Sequence, residues 1–175
     1  LFLTRGVPGT HDCNLLYKCI KKLKNSKFEK TLIPKFNKSS DDRDPKKKWQ
    51  KISTKPDVVI FEGWCVGATP QKKKDLLVPL NVLEKEKDRN KIWRKTVNTE
   101  LRNKYEKIFK LLDLTIYLKV PSFKYVYQWR LLQEKKLRLS SKGRKVMNDE
   151  QVKNFIMHYE RLTKHMLRNH KEIAD

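Results

Sequence analysis

Cysteines are few in this sequence, and their spacing fits neither a disulfide framework nor a zinc site. The three residues, Cys13, Cys19 and Cys65, are odd in number and form no C-x-x-C motif. This argues against a disulfide-built fold and favours a reduced, intracellular setting, in which each cysteine is a small buried hydrophobe. The four histidines follow no H-E-x-x-H or comparable spacing, so we expect no zinc.

Long apolar runs and internal repeats are also missing. No segment approaches the ~20 apolar residues that cross a bilayer, which argues against a membrane span. Zinc-finger, RNP and basic-heptad signatures are absent, and the aromatic residues are not interleaved with the basic runs as in a stacking platform. We expect a cytoplasmic protein. The chain begins at Leu1 rather than Met, which indicates a fragment and leaves organelle targeting open.

Acidic residues are scarce relative to basic ones: 42 Lys and Arg oppose 20 Asp and Glu, for a net charge of +22. Such a charge favours a partner rich in phosphate, whether nucleic acid, anionic lipid or nucleotide. The lysines are spread along the chain and interrupted by acids, which instead favours a solvated, lysine-rich surface. We do not expect nucleic acid as the partner, but a nucleic-acid-binding module stays as an alternative.

The 175 residues fit one domain with a substantial core, in which helical and strand patterns alternate. Apolar residues at helical spacing predict helices with an N-cap at Thr10, over residues 92–112, after Ser122 and from Asn148. The last of these carries Gln151 three residues after Asn148, like a capping box. The alternation predicts an α/β domain with a mostly parallel sheet flanked by helices.

Two continuous apolar segments, residues 57–61 (DVVIF) and 114–120 (LTIYLKV), predict strands buried on both faces of that sheet. A shorter strand is predicted before Pro34. Ligands bind outside the carboxyl ends of parallel strands, and Glu62 and Gly63 directly follow the first segment. A carboxylate in this position orients Mg²⁺ or its waters near a transferred phosphate, and a glycine gives the substrate room. The alternative is a strand that ends in an ordinary turn.

The segment TRGVPGTHD predicts a tight loop that leads into a helix N-terminus, where unpaired N–H groups attract anions. Its arginine adds a fork-shaped donor for a carboxylate or phosphate. The alternative is an ordinary helix-entry turn. The candidate substrate-binding residues in this segment are Arg5, Gly6, Gly9, Thr10, His11 and Asp12.

The segment NKSSDDRDP predicts a second polar loop, which contains Lys38, Asp41, Asp42 and Arg43. Two adjacent carboxylates beside an arginine can hold hydroxyl groups or a hydrated Mg²⁺. A solvated acidic turn explains the same residues equally well.

The segment WRLLQEKKLRLSSKGRK is strongly basic and contains a glycine. It fits a mobile lid that clamps phosphates and excludes water, and it fits equally a charged helix face. The candidate residues are Arg130, Lys135, Lys136, Arg138, Lys142 and Arg144.

In their order along the chain, these motifs resemble the D-glycerate 3-kinase family of P-loop kinases, relatives of uridine kinase, pantothenate kinase and phosphoribulokinase. The resemblance covers nearly the whole chain. It rests on TRGVPGTHD, IPKFNKSSDDRDP, DVVIFEGWCVG, LDLTIYLKVPSF, WRLLQEKKL and MNDEQVKNFIMHYERLT.

The resemblance implies a P-loop NTPase-type fold that phosphorylates a hydroxyl of D-glycerate to give 3-phosphoglycerate, with ATP as co-substrate and Mg²⁺ as cofactor. It implies that Glu62 is the Walker-B-like carboxylate on the Mg²⁺ side and that Gly63 lies at the nucleotide. It places Arg130 and Arg138 as catalytic cations, with Lys135 and Lys136 on the nucleotide, in a lid over residues 122–148. The loops at 5–12 and 38–43 would surround the substrate, whose carboxylate would pair with Arg5 or Arg43.

Two departures from the family pattern are visible. The sequence contains no G-x-x-x-x-G-K-[ST], which the family carries upstream on its first strand and helix, and Asn37 stands where the family more often has Asp. We therefore expect residues 1–175 to be one P-loop kinase domain incomplete at both ends, which transfers phosphate poorly by itself. A kinase for a nucleoside or pantothenate, and a non-catalytic nucleotide- or nucleic-acid-binding module, stay as alternatives, and the oligomeric state stays open.

Overall fold

The computed structural model describes residues 1–38, 40–140 and 146–174, which form two compact units. The first unit comprises Leu1–His11 and Trp64–Asp175, and the second comprises Asp12–Gly63. Within the described ranges, no helix combines the length and the apolar composition needed to span a bilayer.

The second unit begins with helix α1, Cys13–Lys24, which buries Cys13 and Ile20. Its N-cap is Asp12, whose Oδ1 accepts the N–H of Leu15 at 3.0 Å. The prediction that Thr10 caps this helix is therefore wrong by two residues. Asp12 is the better cap because its carboxylate accepts a backbone N–H. Its negative charge also interacts favourably with the positive end of the helix dipole.

Two short antiparallel strand pairs follow α1. Strand β1 (Thr31–Ile33) pairs with β4 (Gln50–Ile52), and β2 (Phe36–Asn37) pairs with β3 (Asp42–Arg43). The predicted strand before Pro34 is confirmed as β1, which ends where proline removes the next N–H donor. The predicted polar loop around residues 37–43 is instead a hairpin in which Asn37 lies opposite Asp42.

The two long apolar segments are not paired as strands. Residues 57–61 and 114–120 have no regular secondary structure, and the hydrogen-bonded strand pairs among the described residues are antiparallel. Ile60 is 87% exposed, and the alternating residues Leu114 and Ile116 are 65% and 77% exposed. The prediction that these segments are buried parallel strands is therefore wrong for this part of the chain. Such burial requires neighbouring strands at both edges, and the described residues supply no strand that pairs with either segment.

The first unit is built mainly from helices. Helix α2 spans Val82–Lys87, and α3 (Ile92–Glu100) continues through a π-helical turn, Leu101–Tyr105, into α4 (Glu106–Phe109). The helix predicted over 92–112 is thus confirmed for most of its length. Its buried face consists of Trp93, Leu101, Tyr105 and Ile108.

Helices α5 (Phe123–Ser140) and α6 (Asp149–Arg168) complete this unit. The predicted capping box is confirmed at the start of α6, since Asn148 and Gln151 exchange side-chain and backbone hydrogen bonds at 2.8 and 2.9 Å. The predicted apolar stripe of α6 also faces the core. Its buried members are Val152, Ile156, Leu162 and Met166.

A buried ion pair joins α2 to α6. Glu84 is 0% exposed, and Arg161 donates to both of its carboxylate oxygens at 2.6 Å. The same guanidinium donates to the carbonyls of Asp75 and Val78 at 2.7 and 2.8 Å. Arg161 therefore fixes the chain that leads into α2 against α6 by four charge-assisted hydrogen bonds.

Candidate active site

The loop of residues 4–11, here called the glycine loop, is held in place by three aromatic side chains from distant parts of the sequence. Trp64 donates its indole N–H to the carbonyl of Gly6 at 2.6 Å, and Tyr159 donates its hydroxyl to the carbonyl of Arg5 at 2.7 Å. Tyr105 accepts the N–H of Gly9 at 3.2 Å. The loop is thus pre-organised, because side chains of the surrounding unit satisfy its backbone groups.

Glycine is required at both turns of this loop. Gly6 and Gly9 have φ values of +112° and +103°, a region that residues with a Cβ rarely adopt. A Cβ at Gly6 would also lie 3.2 Å from the hydroxyl oxygen of Tyr159. The hydroxyl of Thr10 accepts the N–H of Gly6 at 2.9 Å and donates to the carbonyl of Val7 at 2.8 Å. Thr10 therefore closes the loop rather than capping α1.

Trp64 connects the glycine loop to the FEGW motif. Besides its bond to Gly6, its ring packs edge-on against Tyr159, with ring centroids 5.1 Å apart. Glu62 precedes Trp64 by two positions, and its side chain is exposed. No hydrogen bond or ion pair with another residue of the described ranges engages the Glu62 carboxylate, so it can bind a metal ion or a metal-bound water.

The second unit brings two of the predicted substrate residues together. Arg43 donates to Asp12 at 2.9 Å, with both side chains about half exposed. The N–H of Leu15 and the Arg43 guanidinium lower the pKa of Asp12. Asp42 accepts the N–H of Arg43 at 2.7 Å, and Asp41 adopts a left-handed backbone conformation with φ of 56°. A substrate carboxylate bound by Arg43 would therefore compete with Asp12 for the guanidinium.

Lys38 and Asp41 are the remaining predicted residues of this hairpin. Both side chains are exposed. Their predicted contact with substrate stays a prediction.

The basic residues of α5 make contacts within the first unit. Arg130 forms an ion pair with the buried Glu134 and lies over the ring of Phe155 at 5.3 Å. Arg138 donates to the carbonyl of Met147 at 3.2 Å, and Glu134 accepts the N–H of Met147 at 3.0 Å. These bonds attach residue 147 to α5, so a phosphate bound by either arginine would share the guanidinium with a protein acceptor.

Lys135 and Lys136 are exposed on α5. Lys142 and Arg144 lie outside the described residues, as does residue 143, where a break in the helical pattern is predicted. The lid therefore stays a prediction.

The described residues could bind Mg²⁺ only through one or two protein ligands. Among the residues that the structure describes, no three His, Cys, Asp or Glu side chains are grouped closely enough to enclose a metal. Mg²⁺ needs no such cage, because it commonly takes one or two carboxylates and completes its octahedron with waters and substrate phosphates. Glu62, which is exposed and has no protein partner in the described ranges, fits this role.

A small cavity lies beside the glycine loop and is too small for the substrate. Its volume is about 20 Å³, and its walls include Val7, Pro8, Trp64, Trp93 and His158. Such a volume suits a single water molecule. We therefore place the candidate binding surface on the exposed side of the loop rather than in this cavity.

Sequence reasoning missed Tyr105 and Tyr159 as parts of the site. Both belong to helical apolar stripes, a pattern that by itself assigns them to the core. Their hydroxyl groups are the available signal, since a buried tyrosine usually hydrogen-bonds its hydroxyl.

The lowered pKa values of three histidines in the first unit predict that the protein becomes less stable in mild acid. Burial lowers the pKa of His11, His158 and His165 below the ordinary value of 6.5. Since the unfolded chain binds these protons at higher pH than the folded chain, the stabilisation is complete above pH 6.5 and is lost as the pH falls toward the folded-state values. We expect the urea midpoint of the protein to decrease progressively from pH 7.5 to 5.5.

The control is His165→Gln, which should weaken this pH dependence because His165 is buried and bonded to Thr69 at 3.2 Å. A midpoint independent of pH in the wild-type protein would contradict the prediction.

Comparison with known proteins supports the sequence resemblance. A fission-yeast protein, "Uncharacterized kinase mug58" of Schizosaccharomyces pombe, is 34% identical over 89% of this chain and 56% of its own length. The chloroplastic D-glycerate 3-kinase of Arabidopsis thaliana is 29% identical over 89% of this chain and 32% of its own length. The chain thus spans about half or less of these relatives.

The structure gives the same result. The solved D-glycerate 3-kinase of Cryptococcus neoformans superposes with a TM-score of 0.74 and 27% identity, over 98% of this chain and 60% of that protein. The predicted α/β kinase fold class is thereby confirmed, although the strand pairs in the described residues are antiparallel. The pattern of the phosphoribulokinase and uridine kinase family matches residues 5–98, more than half of the 175 residues. The chain belongs to the phosphoribulokinase/uridine kinase family.

Proposed function

We propose that the protein containing this chain is an ATP-dependent kinase that phosphorylates a hydroxyl of D-glycerate to give 3-phosphoglycerate. The observation that carries the proposal is the hydrogen bond from Trp64 to Gly6, 2.6 Å long. Within the first unit it attaches Trp64, the last residue of the FEGW motif, to a glycine-shaped loop of the kind that positions a small anionic substrate. Two relatives whose names specify D-glycerate 3-kinase support the choice of acceptor.

Phosphoryl transfer needs positioning and charge neutralisation more than covalent chemistry. In the first unit, the glycine loop supplies a fixed backbone, and Arg5 is our candidate for the substrate carboxylate. In the second unit, Arg43, which pairs with Asp12 at 2.9 Å, is the alternative candidate. The hydroxyl groups of the substrate are assigned to Lys38, Asp41 and Asp42.

On the nucleotide side, Glu62 orients the waters of Mg²⁺, and Gly63 leaves room for the phosphates. When bound, the ion neutralises charge on the transferred phosphoryl group. Lys135 and Lys136 are exposed cations suited to the nucleotide phosphates. The chain has no G-x-x-x-x-G-K-[ST] and spans only part of its relatives, so we assign the activity to the whole protein.

The expected result of a coupled assay is ADP release that requires both Mg²⁺ and D-glycerate. Uridine and pantothenate should give no release above background, because neither offers a carboxylate beside a primary hydroxyl at the spacing of glycerate. Coupling the product to an enzyme specific for 3-phosphoglycerate identifies the hydroxyl that reacts. The matched control is residues 1–175 alone, which should show no acceptor-dependent turnover. If the whole protein gave no turnover with D-glycerate above its ATPase background, the substrate assignment would be wrong.

The net charge of +22 favours a second candidate, a nucleic-acid-binding module without catalysis. Helix α1 adds to this candidate, because its exposed lysines lie together on one short helix: Lys18, Lys21, Lys22 and Lys24. Binding to DNA or RNA that weakens steeply with salt, together with no phosphorylation of any acceptor, would favour this candidate over the kinase.

A further inference from the structure

We propose that Tyr105 is a positioning residue that presents His11 as a neutral Nε2–H donor on the glycine loop, directed to an oxygen atom of the acceptor substrate. The identity of that oxygen rests on the proposed function, whereas the state of the imidazole ring does not. Neither the family match nor the names of the relatives assigns a role to Tyr105.

The Tyr105 hydroxyl joins two parts of the loop. Its oxygen accepts the N–H of Gly9 at 3.2 Å and lies 2.6 Å from Nδ1 of His11. A phenol hydroxyl is a stronger donor than an imidazole N–H, and an imidazole nitrogen is a stronger acceptor than a phenol oxygen. In the favoured arrangement the hydroxyl therefore donates to Nδ1, which places the ring proton of neutral His11 on Nε2.

Local packing fixes the hydroxyl at this point. Tyr105 is buried and closes the π-helical turn Leu101–Tyr105, and its ring packs edge-on against Phe109 at 6.1 Å. The imidazole of His11 meets the same ring edge-on at 5.8 Å. Single π-helical turns inside α-helices occur frequently at functional sites, because they change which side chains face a neighbouring element.

His11 remains accessible on its other side. The residue is exposed as a whole, while the enclosed part of the ring accounts for a pKa below 6.5. On the packed helix, Glu100 and Lys104 pair with each other at 2.8 Å. Within the described ranges, Nε2 of His11 has no hydrogen-bond partner, so its N–H can bind a carboxylate or hydroxyl oxygen at neutral pH.

The first test measures the tautomer and pKa of His11 by NMR in the ¹⁵N-histidine-labelled protein that contains this chain. We expect the Nε2–H tautomer and a pKa below 6.5 in the wild-type protein. In Tyr105→Phe the ring packing persists but the donor to Nδ1 is lost, so both tautomers should be populated, while the burial that lowers the pKa of His11 remains. The matched control is Tyr125→Phe on α5, which should leave His11 unchanged.

An Nδ1–H tautomer in the wild-type protein would overturn the proposal. A tautomer population of His11 that stays unchanged in Tyr105→Phe would overturn it as well. The wild-type measurement decides the tautomer even if the variant does not fold.

The second test uses the substrate. Saturation with D-glycerate should shift the Nε2–H resonance, and Tyr105→Phe should raise the KM for the acceptor about twofold, because only about half of the His11 population then presents the Nε2–H donor, with a smaller change in kcat. An Nε2–H resonance that does not move with an acceptor that the enzyme phosphorylates overturns the donor role. Failure of D-glycerate as a substrate would overturn the proposed function alone, since the tautomer measurement needs no substrate.

Discussion

Glu62→Gln is expected to lower turnover of the protein that contains this chain by about 10- to 100-fold, the usual effect of losing a group that orients metal-bound water. The substitution keeps size and hydrogen-bonding capacity but removes the negative charge that attracts Mg²⁺. Stability should change by no more than about 0.5 kcal/mol, because the side chain is exposed and has no partner among the described residues. The measurements are steady-state kinetics at several Mg²⁺ concentrations and a urea unfolding curve.

Asp57→Asn is the matched control for this experiment. Asp57 is an exposed carboxylate at the other end of the same extended segment, and the substitution makes the same change in charge. We expect Asp57→Asn to retain nearly normal turnover. Normal activity in Glu62→Gln would refute the role on the Mg²⁺ side, and equal losses in both variants would indicate a general effect of charge on this segment.

Arg161→Met is expected to reduce the free energy of unfolding by about 3–5 kcal/mol, the usual cost of leaving one buried charge without its partner. Glu84 is fully buried and accepts a hydrogen bond from Arg161 on each carboxylate oxygen at 2.6 Å. The carbonyls of Asp75 and Val78 lose their donor as well. Methionine keeps most of the aliphatic volume, so the loss reports mainly on the charge and the hydrogen bonds. Urea unfolding at pH 7.5 measures it.

Two further variants separate the ion pair from general damage to α6. Arg168→Met removes an exposed arginine from the same helix and should cost no more than about 0.5 kcal/mol. The double variant Glu84→Gln with Arg161→Met should be more stable than Arg161→Met alone. In it the buried group is neutral and still accepts the N–H of Leu80, which bonds Glu84 at 2.7 Å. A loss below about 1 kcal/mol in Arg161→Met would show that solvent reaches Glu84.

The helices could be predicted because their information is local. Apolar spacing predicted α3, α5 and α6, and the S/T/D/N-x-x-E/Q pattern predicted the cap formed by Asn148 and Gln151. The family could be found because its motifs keep their order along the chain. The glycine loop could also be predicted from the sequence. Positions 6 and 9 have positive φ, and this backbone conformation favours glycine locally.

The unpredicted features depend on partners that are distant in the sequence or absent from the described part of the chain. An apolar run indicates which residues gain from burial, but not whether neighbouring strands are present to bury them, as residues 57–61 show. The contact between Tyr105 and His11 spans 94 positions. Likewise, charge alone could not show that Arg43 pairs with Asp12 or that Arg130 pairs with Glu134.

The segment 114–120 has a consequence for the colloidal behaviour of this chain. Leu114, Ile116 and Leu118 form one exposed apolar row, while Tyr117 on the opposite side stacks against His170. If this unpaired segment adopts a strand, its open apolar row can serve as a template for a strand of a second copy. The net charge of +22 makes copies of the chain repel one another. In about 0.15 M salt the screening length is only about 8 Å, so this repulsion acts over a short distance. We therefore expect association of this chain to be weaker in dilute buffer than in about 0.15 M salt.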